Sequence, residues 1–176
     1  MWKISKVVLV IRFFVKVAIL KVIGAGIKTR GLALMGRNAE ISSEGGAIIE
    51  LGHKTWIDSC SYVAARKGGE LIMGKGVYIN RFCSIVARKS ITIGDGCMIG
   101  PHCCIIDHDH DLYDHSSFNT SPIIIGNNVW LGGATYVLRG VKIGDNAVIA
   151  AGSIITHDIP ANSIVIQKRN TTFKEI

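Results

Sequence analysis

Aliphatic residues recur at every sixth position through most of this chain. Runs of three begin at Leu51, Met73 and Ile93. The longest run is Ile125, Leu131, Val137, Ile143, Ile149 and Ile155. A short fixed period indicates a solenoid, in which each repeat stacks on its neighbours. Three flat faces of about six residues, each pointing one aliphatic side chain inward, would close a triangular coil. The pattern therefore predicts an all-β protein of coils stacked around a column of Ile, Val and Leu.

Small residues occupy two other fixed places in the same period. A glycine follows the first aliphatic residue of each triplet, at Gly52, Gly74, Gly94, Gly126 and Gly144. A compact residue stands two positions before the later aliphatic residues, at Thr55, Ser61, Cys83, Cys97, Cys103, Thr135, Ala147 and Ser153. Gly, Asn and Asp suit the corners of a coil, where positive φ or local hydrogen bonding is needed. The three cysteines of the second set are interpreted as packing residues.

Three departures from the period fall at the same place, between the third face of one coil and the first face of the next. The aliphatic spacing is ten residues over 63–73, eight over 85–93 and twenty over 105–125. All insertions therefore share one corner. The pattern predicts that residues 106–124 form a long loop that projects from this corner, and long loops in compact domains usually carry function.

The first thirty residues differ from the rest of the chain. Residues 2–23 are mostly aliphatic or aromatic, but five Lys or Arg residues interrupt them, so neither a membrane-spanning helix nor a signal peptide fits. We expect a basic apolar helix in residues 1–30, the solenoid in residues 31–160 and a tail in residues 161–176. The helix either packs on its own oligomer or one end of the fold, or lies on the inner surface of an anionic membrane.

Composition and charge narrow the range of possible functions. The chain has 176 residues and is 48% hydrophobic, which suits one domain with a core. Its net charge of +7 comes from residues 1–37, which hold eight of the 20 Lys and Arg residues and no acid. The remaining 12 basic and 13 acidic residues nearly cancel, so nucleic-acid binding is not expected. Five cysteines without a C-x-x-C motif favour a reducing compartment, and we expect a cytoplasmic protein.

Residues 94–101, 126–132 and 140–153 resemble the hexapeptide-repeat acyltransferases. The resemblance covers roughly residues 40–160. It is strongest for the branch that contains the galactoside, maltose and xenobiotic acetyltransferases and the O-acetyltransferases of bacterial surface polysaccharides. It implies a left-handed parallel β-helix, a homotrimer, acetyl-CoA as the acyl donor, and active sites shared between neighbouring subunits.

The long loop carries the candidate base. Acyl transfer to a hydroxyl group needs a group that accepts the hydroxyl proton, and imidazole suits this at neutral pH. The resemblance places His108 where the family has its catalytic histidine, with His110 as the second candidate. Asp107 and Asp109 are predicted to orient the imidazole or to contact the substrate.

The resemblance also implies the binding residues. Asn80 matches a position that contacts the acceptor hydroxyl, and Trp130 is expected to face outward and line the tunnel of the coenzyme or pack at the trimer interface. Backbone groups of Gly132, Gly133 and Ala151 are expected to contact acetyl-CoA. Candidates for its phosphates are Arg139, Lys142, Lys168, Arg169 and Lys174, although residues 164–173 depart from the family's usual tail.

We therefore expect an acetyl-CoA-dependent O-acetyltransferase that acts on a saccharide, of a bacterial surface polysaccharide or its precursor, by direct transfer. Transfer to the amine of an amino sugar, or to a xenobiotic, remains open within the same class. A zinc-dependent lyase that resembles carbonic anhydrase, with His102, His110 and His115 as ligand candidates, is an alternative, as is a scaffold without catalytic activity. For the transferase, no metal is expected.

Overall fold

The computed structural model describes residues 2–22, 26–168 and 174. A helix, α1 (Trp2–Val22), precedes a left-handed parallel β-helix of three sheets, with strands numbered β1 to β21 along the chain. The first sheet contains β1 (Gly26–Thr29), β4 (Ile48–Leu51), β7 (Glu70–Met73), β10 (Ser90–Ile93), β15 (Ile123–Ile125) and β18 (Lys142–Ile143), in that order. The second contains β2 (Ala33–Met35), β5 (Thr55–Ile57), β8 (Tyr78–Ile79), β11 (Met98–Ile99), β16 (Trp130–Leu131), β19 (Val148–Ile149) and β21 (Ile164–Val165). The third contains β3 (Glu40–Glu44), β6 (Tyr62–Arg66), β9 (Ser84–Ala87), β12 (Cys104–Ile106), β17 (Tyr136–Val137) and β20 (Ile154–Ile155). The fold prediction is confirmed, and the paired strands extend from Gly26 to Val165.

The six-residue aliphatic ladder is the core. Ile79, Ile99, Leu131 and Ile149 lie one above another in register through the second sheet, and all four are buried. Burial of such a side chain stabilises a fold by about 1.5–3 kcal/mol. The stack is continuous, so each coil covers the apolar interior of the coil before it.

The coil has three corners, which we number by the sheets that they join. The first corner joins the first and second sheets, the second corner joins the second and third sheets, and the third corner leads to the first sheet of the next coil. Glycines at the first corner are required for two different reasons. A Cβ at Gly94 would lie 2.6 Å from the carbonyl carbon of Gly126, whereas Gly96 adopts a φ of +67° and a Cβ there would meet only the side chain of Asn128. The two positions therefore tolerate different substitutions.

We predict that Gly94→Ala destabilises the protein by about 1–3 kcal/mol, because the added methyl group pushes one coil away from the next. The control is Gly76→Asn at the same corner, where φ is +69° and no atom lies within 4 Å of the place that a Cβ would take. Asn tolerates this backbone conformation, so we expect a change near zero. Chemical denaturation measures both values, and equal destabilisation of the two variants would contradict the steric argument.

The positions of three cysteines confirm that they are packing residues. Cys83, Cys97 and Cys103 are buried, and each thiol lies 3.0–3.2 Å from a carbonyl oxygen of the next coil. Thr55 makes the corresponding contact with the carbonyl oxygen of Gly74 at 3.3 Å. Burial raises the pKa of the Cys97 thiol, which keeps it neutral and unreactive.

The two ends of the solenoid are covered differently. At the first end, α1 lies against β1 and β2 and buries Phe13 and Val17, while Lys16 Nζ donates to the carbonyl oxygen of Ala39 at 3.3 Å. Beyond the last coil, the side-chain amide of Gln167 pairs with the backbone of Ile154 through two hydrogen bonds of 2.9 and 2.7 Å. Within the described residues, no helix is long and apolar enough to span a bilayer.

Candidate active site

The large insertion at the third corner is a β-hairpin, whereas the sequence indicated only a loop. Strands β13 (His108–His110) and β14 (Phe118–Thr120) pair antiparallel, with His110 opposite Phe118. The turn is ordered by Asp111, whose carboxylate accepts hydrogen bonds from the backbone N–H groups of Tyr113 and Asp114. These bonds lower the pKa of Asp111. The hairpin therefore holds the candidate histidines on a regular element.

Asp107 fixes the hairpin to the solenoid. Its side chain is 0% exposed, and its two carboxylate oxygens accept hydrogen bonds from the backbone N–H groups of Arg88 at 2.8 Å and Lys89 at 2.7 Å. His108 Nδ1 lies 3.0 Å from Asp107 Oδ1. A buried carboxylate with these partners is oriented toward the imidazole and has no surface left for a substrate. Of the two roles predicted for Asp107, the geometry supports orientation of His108.

The environment of His108 favours the function of a base. A carboxylate can only accept, so the imidazole Nδ1 must donate to Asp107, and the lone pair of the neutral ring is then on Nε2. The ring packs edge-on against Phe118, with 5.4 Å between centroids, which restricts its rotation. The side chain is 13% exposed. A lone pair held in a fixed orientation on Nε2 suits proton abstraction from a hydroxyl group.

His110 and Asp109 are more exposed than His108. His110 Nδ1 contacts the carbonyl oxygen of His115 at 2.9 Å, and its ring also packs on Phe118. Asp109 Oδ2 accepts a 2.5 Å hydrogen bond from Arg139 Nε, on the next coil. Arg139, predicted as a phosphate ligand, thus ties the hairpin to the solenoid.

Five other predicted residues lie together at the second corner. Asn80, Trp130, Gly132, Gly133 and Ala151 line a cavity of about 460 Å³. Trp130 faces outward as predicted and is 50% exposed. Asn80 Oδ1 accepts a hydrogen bond from the N–H of Arg81, so Asn80 shapes the turn and lines the cavity at once. Cavities of about 300–1,000 Å³ are typical of small-molecule sites.

The structure separates this cavity from the histidines. The cavity follows the second sheet, whereas His108 follows the third sheet, so the two groups lie along opposite edges of the third sheet in one chain. Lys142 is exposed on the first sheet and does not line the cavity. Lys168 is exposed beyond β21, and Arg169 lies outside the described residues.

Two residues of the site were missed by the sequence analysis. Arg88 places its guanidinium carbon 3.5 Å from the ring centroid of Phe118, which in turn contacts both His108 and His110. Arg88 belongs to the coil before the hairpin. In the sequence, the only sign of its importance was that it lies in the short insertion over residues 85–93, at the same corner as the hairpin.

The histidines of the zinc hypothesis do not come together. His102 stacks on Phe82 at the second corner, whereas His110 and His115 belong to the hairpin. Within residues 2–22, 26–168 and 174, no group of three His, Cys, Asp or Glu side chains is placed to hold a metal ion.

Known proteins show the same repeat. Residues 122–157 match the family model described as the hexapeptide repeat of succinyl-transferase. The galactoside O-acetyltransferase of Escherichia coli K12 is 37% identical over 118 residues, which cover 65% of this chain and 57% of that protein. The solved maltose O-acetyltransferase from Clostridium difficile 630 is 30% identical, with a TM-score of 0.52 over 74% of this chain and 64% of that one. The resemblance to the hexapeptide-repeat acetyltransferases is confirmed.

A further relative has a name that refers to lipopolysaccharide biosynthesis. A provisionally named lipopolysaccharide biosynthesis O-acetyl transferase of Escherichia coli K12 is 31% identical over 110 residues, which cover 55% of this chain and 56% of that protein. The chain spans little more than half the length of these curated relatives.

Proposed function

We propose that this chain is an acetyl-CoA-dependent O-acetyltransferase that acts on a saccharide, with His108 as the general base. The observation that carries the proposal is the buried Asp107–His108 pair at the root of the hairpin. In the proposed step, His108 Nε2 takes the proton of the acceptor hydroxyl as its oxygen attacks the thioester carbonyl. Collapse of the tetrahedral intermediate breaks the carbon–sulfur bond and forms the ester. The proton then passes to the departing CoA thiolate.

The cavity at the second corner is the proposed site of acetyl-CoA. Trp130 offers an apolar wall for the pantetheine arm, and the backbone around Gly132, Gly133 and Ala151 is close to the cavity surface. An N–H group of this stretch would polarise the thioester carbonyl. The phosphates would meet Lys142, Lys168 and Arg169, and Asn80 would contact the acceptor.

A homotrimer is proposed because one chain holds the two halves of the site on different corners. A neighbouring subunit would bring its cavity to the histidines of this one. The hairpin tip supports this arrangement, since Leu112 and Tyr113 are 83% and 98% exposed. Apolar side chains at a projecting tip are typical of a contact surface.

Cellular placement stays a prediction. The five free cysteines are compatible with the reducing cytoplasm. A peripheral contact of residues 1–30 with the inner membrane surface has two supports, the exposed apolar side chains of Val7, Ile11, Phe14 and Val15 and the excess of Lys and Arg in residues 1–37. A surface polysaccharide or its precursor as the acceptor rests on the similarity to the provisionally named lipopolysaccharide enzyme.

The test is thiol release from acetyl-CoA in the presence of galactosides, maltose and amino sugars, with mass spectrometry of each sugar. We expect saturable release with the acetyl group as an ester on a sugar hydroxyl. Substitution of Trp130 by alanine should raise KM for acetyl-CoA about tenfold or more, because an apolar wall of the cavity is lost. Acetyl transfer to an amine would favour the N-acetyltransferase alternative, and absence of release with every sugar would contradict the proposal.

A further inference from the structure

A second cleft, of about 470 Å³, lies at the third corner beneath the root of the hairpin. Its walls are Glu44, Gly45, Arg66, Lys67 and Arg88, from three successive coils. Glu44 and Arg66 are register partners of neighbouring strands, and Arg88 follows the next strand of the same sheet. Residues that lie far apart in sequence therefore form one continuous surface, directly below Asp107 and His108.

The cleft carries an excess of positive charge. Glu44 forms an ion pair with Arg66, which also donates to the hydroxyl of Tyr62, so these two charges cancel. The hydrogen bond from Arg66 lowers the pKa of Glu44, so its carboxylate stays ionised. Lys67 is exposed, and neither Lys67 nor Arg88 has a carboxylate partner among the described residues. Two cations are left to face the cleft.

Arg88 connects the cleft to the proposed base. Its guanidinium carbon lies 3.5 Å from the centre of the Phe118 ring, and His108 packs edge-on against the same ring. Its Nε is buried and has no hydrogen-bond acceptor within the described part of the chain. A buried donor without an acceptor costs free energy of folding and marks a place where an acceptor is missing.

We propose that this cleft binds an anionic group of the saccharide acceptor, a carboxylate or a phosphate; this rests on the proposed function. Guanidinium and ammonium groups at one surface are the chemistry that recognises both anions. The cleft and His108 share a corner, so one sugar that bears the anionic group could present a hydroxyl to Nε2. The acceptor class is thus an acidic or phosphorylated saccharide, and the neutral sugar is the poorer substrate.

The experiment compares three acceptors: methyl galactoside, methyl galacturonoside and galactose 6-phosphate. The variant is Lys67→Asn, because Lys67 has a φ of +50° that Asn accepts without strain. The matched control is Lys54→Asn, an exposed lysine with a φ of +61° at the first corner.

We expect Lys67→Asn to lower kcat/KM for at least one anionic acceptor about tenfold, and to leave kcat/KM for methyl galactoside within about twofold. The control should leave all three unchanged. The acceptor that loses more identifies carboxylate or phosphate as the ligand.

Calorimetric titration of the same three sugars into the protein gives a readout that does not depend on turnover. Stronger binding of an anionic sugar supports an anion site in the cleft even if acetyl transfer fails. This binding should be weakened by added salt and by Lys67→Asn, and not by Lys54→Asn. Equal binding and equal kcat/KM for the charged and neutral sugars would overturn the inference and leave the proposed function intact. A rise in KM for acetyl-CoA, with acceptor kinetics unchanged, would also overturn it, because the cleft would then hold a phosphate of the coenzyme.

Discussion

Replacing His108 by alanine is expected to lower kcat for acetyl transfer by about 10²–10⁴-fold, the usual contribution of a positioned general base. The imidazole is held by Asp107 and Phe118, so its Nε2 is oriented before the acceptor arrives. Because Nε2 is proposed to act on the acceptor hydroxyl and not to bind the coenzyme, KM for acetyl-CoA should change little. Thiol release under saturating acetyl-CoA measures kcat, and a direct titration of CoA checks that binding is retained.

The matched control is His110→Ala. This ring also rests on Phe118, but its Nδ1 contacts the carbonyl oxygen of His115, and no carboxylate among the described residues orients it. We expect a loss of less than about tenfold. The opposite pattern, with full activity in His108→Ala and none in His110→Ala, would move the base to His110 and leave the reaction class unchanged.

Replacing Asp107 by alanine is expected to destabilise the protein by about 2–4 kcal/mol and to lower kcat about tenfold or more. The substitution leaves the N–H groups of Arg88 and Lys89 without their acceptor and releases the imidazole of His108. Asp107 acts as a positioning residue, so the activity loss should appear in kcat, with KM for acetyl-CoA retained. Chemical denaturation gives the stability, and kinetics well below the unfolding transition give kcat.

Asp109→Ala is the control for charge and position. Asp109 is two residues away on the same hairpin, but its partner Arg139 is partly solvent-exposed. An exposed pair contributes about 0–1 kcal/mol, so stability should fall within that range. Similar losses in the two variants would show that the burial of Asp107 has no special role.

The solenoid could be predicted because its core residues recur every six positions, once for each face of a coil. The inward positions that recur every six residues are apolar, so Ile99, Leu131 and Ile149 could be placed from the sequence alone. The glycines at the corners were also predicted, but the predicted reason, a positive φ, does not apply to all of them. At Gly94 the constraint is the approach of the backbone of the next coil, and a constraint between coils cannot be read from local sequence.

The site was predictable where it follows the period and unpredictable where it leaves it. Asn80, Trp130 and Gly132 belong to the same face and its corner, and the structure places them around one cavity. The insertion has no period, so neither the hairpin nor the contact between Arg88 and Phe118 could be derived from the sequence. The charge count gives only a total for the body of the chain, so it could not show that Lys67 and Arg88 lie together at one corner.

The side-chain amide of Gln167 pairs with Ile154 as a further strand would. An open solenoid end presents unpaired backbone groups that can template another chain and nucleate fibres. A single glutamine here satisfies the N–H and C=O groups of Ile154, while α1 covers the opposite end. Addition of another chain is therefore opposed at Ile154 and at the end that α1 covers.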